Sequence, residues 1–594
     1  MHAKSQPAAP KPAARDRGQA ALWLILAVTL ARLLFLFVSP YELSADEAQY
    51  WDWSRRLELS YHTKGPGAAW TIAASTHLLG VSEFAVRAPA ALVAAVMMLA
   101  LAALARRIAG APVAGRAAFM SVLVALCIPA YHAAALLMTI DGPMLACWAV
   151  AALAAWNIAV DAPPPGGTAD APTSKTRKHL AWGAALGISL GVGFLFKYTI
   201  LLAGAGLLLF IFLTRARRTR SALPPLVIAA ILFAACIGPV ILWNAQRRWP
   251  TVAHLLGHLG LAGSDLPAAA ASSRAYSPLW TLEYLGVLIA LAGPIVLAMI
   301  LAVRAGLKAP SAAPASAEQR HLRAGALLGL CGAAPVLLAY LVASFFTDIE
   351  GNWPIGAWVT LIPVTGAFAV TAMDDHRARI ARWNAQTTDK RRRAGFLRRK
   401  PETPFQLSLH WGLSVGVVGA IGMMLIGPVS RAPLVGPLIP FSRIDGARYL
   451  AAAVDRQREA LAAQTDAVPF VVGSRYTHSA LLAFYCDGRP SVYCAGSRLG
   501  DRRSAYDDFP DTDLADPGLL SRPAVLVDAG RHASPDRWLR ALRFDHPPSE
   551  ATRVGPNSSP RVIYTARGYA GPVVNAPPAN PANPAATTPE RPSP

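Results

Sequence analysis

The chain is poor in charge: only 15% of its 594 residues are Asp, Glu, Lys or Arg, while 54% are hydrophobic and the mean hydropathy is +0.35. Soluble domains carry roughly a quarter charged residues, so an ordinary soluble enzyme is excluded and a polytopic membrane protein is expected. Acidic residues are the scarcer sign, 35 against 56 basic, for a net charge of +21. That excess does not imply nucleic acid, because the basic residues lie in short clusters between apolar runs, as topology signals do. Cysteine is rare too. Of six, Cys127, Cys147, Cys236 and Cys331 fall in apolar runs and read as packing residues. No small-residue cleavage site separates the first apolar run from Ser39-Pro40-Tyr41-Glu42, so that run is expected to be a retained span and not a signal peptide.

Each span needs about 20 apolar residues, and segmentation on that basis yields eleven: 20–38, 86–105, 117–136, 142–160, 180–196, 198–213, 222–243, 277–303, 324–346, 354–372 and 406–428. The pair 180–196 and 198–213 is divided by a short turn expected from Gly191-Val192-Gly193 and Lys197. Alternate loops hold 28 Lys and Arg on one side and 7 on the other, which predicts the N-terminus inside and residues 39–85 outside, together with everything after 428. The expected organisation is a cytoplasmic tail (1–19), a transmembrane domain (20–430), a small α/β extracytoplasmic domain (431–565) and a disordered Pro/Ala/Asn-rich tail (566–594). Residues 161–179 read as a cytoplasmic linker, and the strongly basic loop 373–405 as one that rests on anionic lipid headgroups.

The soluble domain is expected to have strands at Val468–Val472, near Leu481–Tyr485 and at Ala524–Asp528. Phe484–Cys494 reads as two strands joined by an Asp487-Gly488 turn, with Cys486 and Cys494 either disulfide-bonded or two buried thiols in different layers.

The notable polar residues in apolar surroundings collect on one predicted face: Asp46, Glu47, His62, Lys64, Asp141, Lys197, His254, His258, Glu350 and Asn352. A shared face at one depth is what a membrane-embedded site requires, whereas snorkelling charges populate both faces. Asp46 can act as a general base, although Ser44-x-x-Glu47 also fits a capping box. The aromatics of Tyr50–Leu57 are spaced for an amphipathic helix in the interface. Lys64, ahead of Gly65-Pro66, can offer a point charge to a phosphate or to lipid headgroups. Asp141 with Pro143 suits a helix first turn. Lys197 has no acidic neighbour in sequence and so needs an anion. Asp348–Pro354 is a polar loop suited to sugar hydrogen bonds or to turn formation. His254 and His258 share a helical face without an HExxH-type carboxylate, so no metal is expected and no cofactor is implied; a divalent ion has only weak support.

Taken together, Ala45–Trp51, Lys64-Gly65-Pro66, Ser82–Ala90, Thr139–Pro143, Phe196-Lys197-Tyr198 and Glu350–Pro354 resemble the bacterial glycosyltransferases of the dolichyl-phosphate-mannose protein mannosyltransferase type, GT-C fold enzymes that include the lipid A aminoarabinose transferases. The resemblance covers roughly residues 20–430. It implies a GT-C fold of about 11 transmembrane helices in a bacterial inner membrane. The implied activity is inverting transfer of a sugar from an undecaprenyl- or other polyprenyl-phosphate donor to a lipid A, other glycolipid or protein acceptor at the periplasmic face. By that resemblance Asp46, Asp141 and Glu47 are candidate catalytic residues, and Lys64 and Lys197 hold the donor phosphate. Tyr61, His62, His258, Glu350 and Asn352 are candidate substrate contacts. Many relatives carry a carboxylate before the phosphate-binding position, where this chain has Thr63, which weakens any metal site built on it. The rival reading is a transporter or flippase for a lipid-linked sugar, whose site would lie near the midplane, commonly with internal repeats; no repeat is visible here.

Overall fold

The computed structural model describes residues 18–161, 174–215, 222–258, 276–308, 316–386, 403–425, 445–529, 533–555 and 560–573. The helices of the membrane part are α1 (Gly18–Val38), α2 (Ala45–Ser54), α3 (Gly67–Leu79), α4 (Glu83–Ala109), α5 (Ala114–Leu126), α6 (Pro129–Ala134), α7 (Asp141–Ala159) and α8 (Ser174–Phe196). They continue with α9 (Ile200–Arg215), α10 (Leu223–Gln246), α11 (Pro250–His258), α12 (Pro278–Ala292), α13 (Ile295–Leu307), α14 (Ala317–Ala343), α15 (Leu361–Gln386) and α16 (Pro404–Met424). Among the described residues eight helices are long and apolar enough to cross a membrane, nine when α12 and α13 are counted as one bent span, and α5 and α9 are shorter apolar helices.

Each of the eleven expected spans therefore meets a helix, with three corrections. The segment 277–303 is not straight: α12 and α13 are bent by 91° at Gly293-Pro294, because Gly293 adopts φ +74° and Pro294 starts a new helix. Segment 117–136 breaks after Leu126, ahead of Pro129 at the first turn of α6. Gly191-Val192-Gly193 is not a turn; α8 runs through it to Phe196, and the chain turns at Lys197–Thr199.

Those glycines serve close packing instead. A Cβ at Gly183, Gly187 or Gly191 would lie 2.3 Å from Pro225 O, 2.3 Å from Ala229 O and 2.4 Å from Cys236 Cβ, respectively, all on α10. One glycine per turn of α8 thus lets two backbones touch along a stripe, the small-residue packing that apolar surroundings favour.

The soluble part holds α17 (Ala447–Thr465), α18 (Tyr476–Tyr485), α19 (Pro535–Leu539) and strands β1 (Phe470–Gly473), β2 (Val492–Cys494), β3 (Ala524–Ala529), β4 (Leu542–Val554) and β5 (Arg561–Pro572). The sheet order is β2-β1-β3-β5-β4, with β1 parallel to β2 and β3, and β5 antiparallel to β3 and β4. Both faces are buried. Val471, Val525, Val527 and Ile563 join the core that continues into the bundle, while Phe470, Val472, Leu526 and Tyr564 pack around Trp538 on the other side. Leu481–Tyr485, expected as a strand, is the second half of α18, so Phe484–Cys494 is helix, turn and short strand, not a hairpin. Gly488, at φ +74°, makes that turn. Cys486 and Cys494 are free and buried. Residues 566–572, placed in the disordered tail by composition, complete β5 because their backbone pairs with β4; residues 431–444 and 574–594 lie outside the described residues.

Replacing Gly187 with Leu is expected to force α8 from α10 and to destabilise the detergent-solubilised protein by about 1–3 kcal/mol, measured as a lower Tm; an unchanged Tm would refute the close contact.

Candidate active site

Local rules place the first carboxylates. The Ser44 hydroxyl accepts from Glu47 N (3.4 Å) and the Glu47 carboxylate accepts from Ser44 N (3.0 Å), so the expected capping box starts α2 there. Asp46 thereby falls in the first turn. Its carboxylate is half-buried and makes no hydrogen bond or ion pair with a described residue.

Glu47, one residue on, turns the other way and is wholly buried. Arg87, inside α4, donates Nε and Nη2 to its two oxygens at 2.9 and 2.8 Å, and Met138 N donates at 3.0 Å. Burial alone would raise its carboxyl, but Arg87 and the Ser44 and Met138 amides outweigh that and hold it below the ordinary glutamate value. Both Glu47 oxygens are thus engaged by Arg87 and by the Ser44 and Met138 amides. In the sequence Arg87 stands within Ser82–Ala90, where a lone guanidinium in an apolar run is the signal of a buried partner.

The loop after α2 returns to the bundle through a turn closed by Tyr61 N donating to Lys64 O (3.0 Å). Gly65 is needed next because a Cβ there would lie 2.3 Å from Leu195 O, at the end of α8. That close approach seats Lys64 over Tyr50, donating to its hydroxyl at 2.8 Å with Nζ 5.3 Å from the ring centre. Burial alone would lower the ammonium, but Tyr50 and Asp46 outweigh it and hold Lys64 above the ordinary lysine value, charged at neutral pH.

Lys197, in the turn after α8, does have an acidic partner: it donates to Asp141 Oδ1 at 2.7 Å, and Asn352 Nδ2 donates to Oδ2 at 2.9 Å. Lys197 also donates to Asn352 O at 3.2 Å. Three residues from distant parts of the chain thus form one knot, in which Asp141 supplies the anion that Lys197 lacks in its sequence neighbourhood. Glu350 is exposed and its carboxylate has no described partner.

Other candidates make contacts with neighbouring protein, although His62 Nε2 is buried without a hydrogen-bond partner among the described residues. Tyr61 stacks on Trp53 (4.4 Å between centres) and donates to the Trp53 and Arg56 carbonyls, so it is not free to hold a substrate. His62 Nδ1 lies 2.9 Å from Asp508 Oδ2, tying the loop to the soluble domain. The His258 side chain lies outside the described residues. Among the described residues no three His, Cys, Asp or Glu converge as a metal-binding group.

The aromatics of Tyr50–Leu57 do not lie in a lipid interface. Tyr50, Trp51 and Trp53 are buried, and Trp51 packs edge-on against Phe484 of α18 at 4.9 Å. The soluble domain covers α2. Tyr476, at the start of α18, comes within electrostatic reach of Asp46, Lys64 and Glu350; burial chiefly, then Asp46, raises its phenol. No pattern in the sequence announces this, since it depends on how the two parts dock. The cluster so assembled offers a half-buried carboxylate, an ammonium hydrogen-bonded to a phenol, and an Asp141–Lys197 pair. Such a set can take a proton from a hydroxyl and stabilise a departing anion.

Residues 63–243 match the family model of dolichyl-phosphate-mannose-protein mannosyltransferases. A curated relative, the lipid A galacturonosyltransferase RgtD of Rhizobium johnstonii, is 27% identical over 234 residues, 39% of this chain and 45% of that protein, so the chain spans under half the length of the relative it matches. Two solved structures of ArnT from Cupriavidus metallidurans share the fold. The apo form has a TM-score of 0.56 at 15% identity and the form bound to undecaprenyl phosphate 0.57 at 16%, each covering 92% of this chain and 98% of that one.

Glu47→Gln is expected to leave Arg87 buried without its counter-charge, costing about 3–5 kcal/mol and lowering Tm and folded yield. Wild-type stability in this variant would show that the pair does not hold the loop.

Proposed function

We propose that this chain, whose residues 63–243 match the family model of dolichyl-phosphate-mannose-protein mannosyltransferases and whose fold is shared with ArnT, transfers a sugar from a polyprenyl-phosphate donor to a hydroxyl acceptor at the periplasmic face of a bacterial inner membrane. The observation that carries this reading is the proximity of an Asp46 carboxylate with no hydrogen bond to a described residue and a Lys64 ammonium held charged by Tyr50 and Asp46. Asp46 accepts the acceptor's proton as its oxygen bonds to the anomeric carbon, and the bond from that carbon to the phosphate oxygen breaks with inversion. The polyprenyl phosphate leaves as an anion facing Lys64. Because that phosphate is a stable leaving group, no second carboxylic acid has to protonate it, unlike glycoside hydrolysis. Asp141 and Asn352 hold Lys197 in place beside the same anion, and Glu350 is available to sugar hydroxyls.

A lipid A-type acceptor is favoured by the relative named a lipid A galacturonosyltransferase, and a polyprenyl donor by the undecaprenyl phosphate held by the ArnT structure of the same fold. The transporter reading places its charges near the midplane, whereas Asp46, Lys64, Asp141 and Lys197 lie at helix ends and loops of one end of the bundle.

With purified full-length protein, Asp46→Asn is expected to lower transfer about 10²–10⁴-fold while retaining donor binding, and Lys64→Ala to weaken both; full transfer by Asp46→Asn would end the proposal. Mass spectrometry of lipid A and glycolipids from cells with and without the chain identifies the acceptor, an unchanged profile pointing to protein. Orientation has its own test: a periplasm-dependent reporter fused after residue 425 is expected to be active, and activity only of a cytoplasm-dependent reporter would overturn the assignment of sides.

A further inference from the structure

A cavity among the described residues lies far from these side chains. It holds about 590 Å³ between the C-terminal end of α13, the second half of α15 and the first turn of α16. Its position is set by chain direction. α15 begins just after the Asn352 loop and runs 26 residues, ~39 Å at 1.5 Å per residue, and α16 starts at the cavity and ends where Met424 O accepts from Tyr41 OH, beside the first loop. The cavity is therefore at the opposite end of the bundle.

Its lining is of two kinds. Phe368 and Phe405 form an apolar wall, and Arg304, Lys308, Arg379 and Arg382 stand around it, exposed at their ends. Among the described residues none of these four cations forms an ion pair. One carboxylate, Asp375, lines the same space, which leaves three positive charges in excess. The next carboxylate, Asp374, is already held by both Arg116 nitrogens at 2.7 and 2.8 Å. Like charges gathered without counter-ions repel one another, and an anion relieves that repulsion.

The surroundings decide the kind of anion. Beyond the cavity lining, the same helices expose Leu407 and Trp411 on α16, four residues apart and 49% and 61% exposed, and Leu297 and Ile300 on α13. Such apolar surface on a membrane helix faces acyl chains, so the cavity opens sideways toward lipid. A basic pocket between spanning helices with an apolar exit suits a headgroup whose chains stay in the bilayer. The volume is within the range of about 300–1,000 Å³ typical of ligand sites.

We infer that this cavity is a binding site for one acidic phospholipid, its phosphate among Arg304, Lys308, Arg379 and Arg382 and its chains along α13 and α16, at the membrane face opposite the candidate active site. The inference does not depend on the transfer reaction, and its readout is lipid retention, not activity.

Native mass spectrometry of the full-length protein, released from micelles supplied with equimolar phosphatidylglycerol and phosphatidylcholine, tests it. The wild type is expected to retain one phosphatidylglycerol preferentially. Arg304→Gln/Lys308→Gln/Arg379→Gln/Arg382→Gln is expected to lower that retention by about 10²–10³-fold. The double variant Arg379→Gln/Arg382→Gln changes exposed side chains only and is expected to show a smaller loss; it keeps the test valid should the fourfold variant fold poorly. Replacing the three arginines with lysine is expected to preserve retention. Equal retention of phosphatidylcholine, undiminished phosphatidylglycerol on the charge-removed variants, or its displacement by millimolar inorganic phosphate, which would mark a free-phosphate site, would each overturn the inference.

Discussion

The buried ion pair between Glu47 and Arg87 holds the working end of this molecule together. Arg87 sits in α4 and Glu47 in α2, and the same two side chains also take Met138 N, Tyr41 O and Glu42 O as partners. The first loop, the fourth helix and the approach to α7 are thus fastened at one point inside a low-dielectric interior, where either charge alone would be costly. Asp46 precedes Glu47 and Asp141 follows Met138 by three residues. Fixing Glu47 therefore fixes, within short stretches of chain, where the two other carboxylates stand.

From that point the order extends into the soluble domain. Glu42, whose carbonyl accepts from Arg87, aims its carboxylate at the Ala447 and Arg448 amides, supplying the cap that Gly446 cannot provide to α17. Tyr485 accepts from Leu43 N at 2.6 Å, Arg56 pairs with Asp511, and Arg448 with Glu83. The domain is bolted to the first loop by charge at its edges and by Trp51 against Phe484 at the centre. This accounts for the aromatic richness of α2, whose rings are buried between protein layers.

The two lysines of the cluster are treated differently. Lys197 is neutralised by Asp141 and oriented by Asn352, whereas Lys64 donates to a phenol and forms no ion pair with a described residue. One carboxylate, Asp46, stands beside them without a partner of its own. In the proposed reaction, this carboxylate and this ammonium are the groups that meet the hydroxyl acceptor and the donor phosphate.

Much of this was legible in the chain itself. The eleven apolar segments, the turn at Lys197, the capping box at Ser44, β1 and β3, and the gathering of Asp46, Lys64, Asp141, Lys197 and Asn352 at one end all follow from local signals. Hydropathy, caps and loop charge act through each segment's own transfer free energy and backbone groups, and neighbouring residues suffice to evaluate them. Tertiary structure alone decided the partners: Glu47 with Arg87, Lys197 with Asp141, Glu42 with α17, Tyr476 over the cluster, and the helical state of Leu481–Tyr485, set by packing on α2. These contacts join residues tens to hundreds of positions apart. Their energies depend on burial and distance, which exist only once the helices have chosen their neighbours.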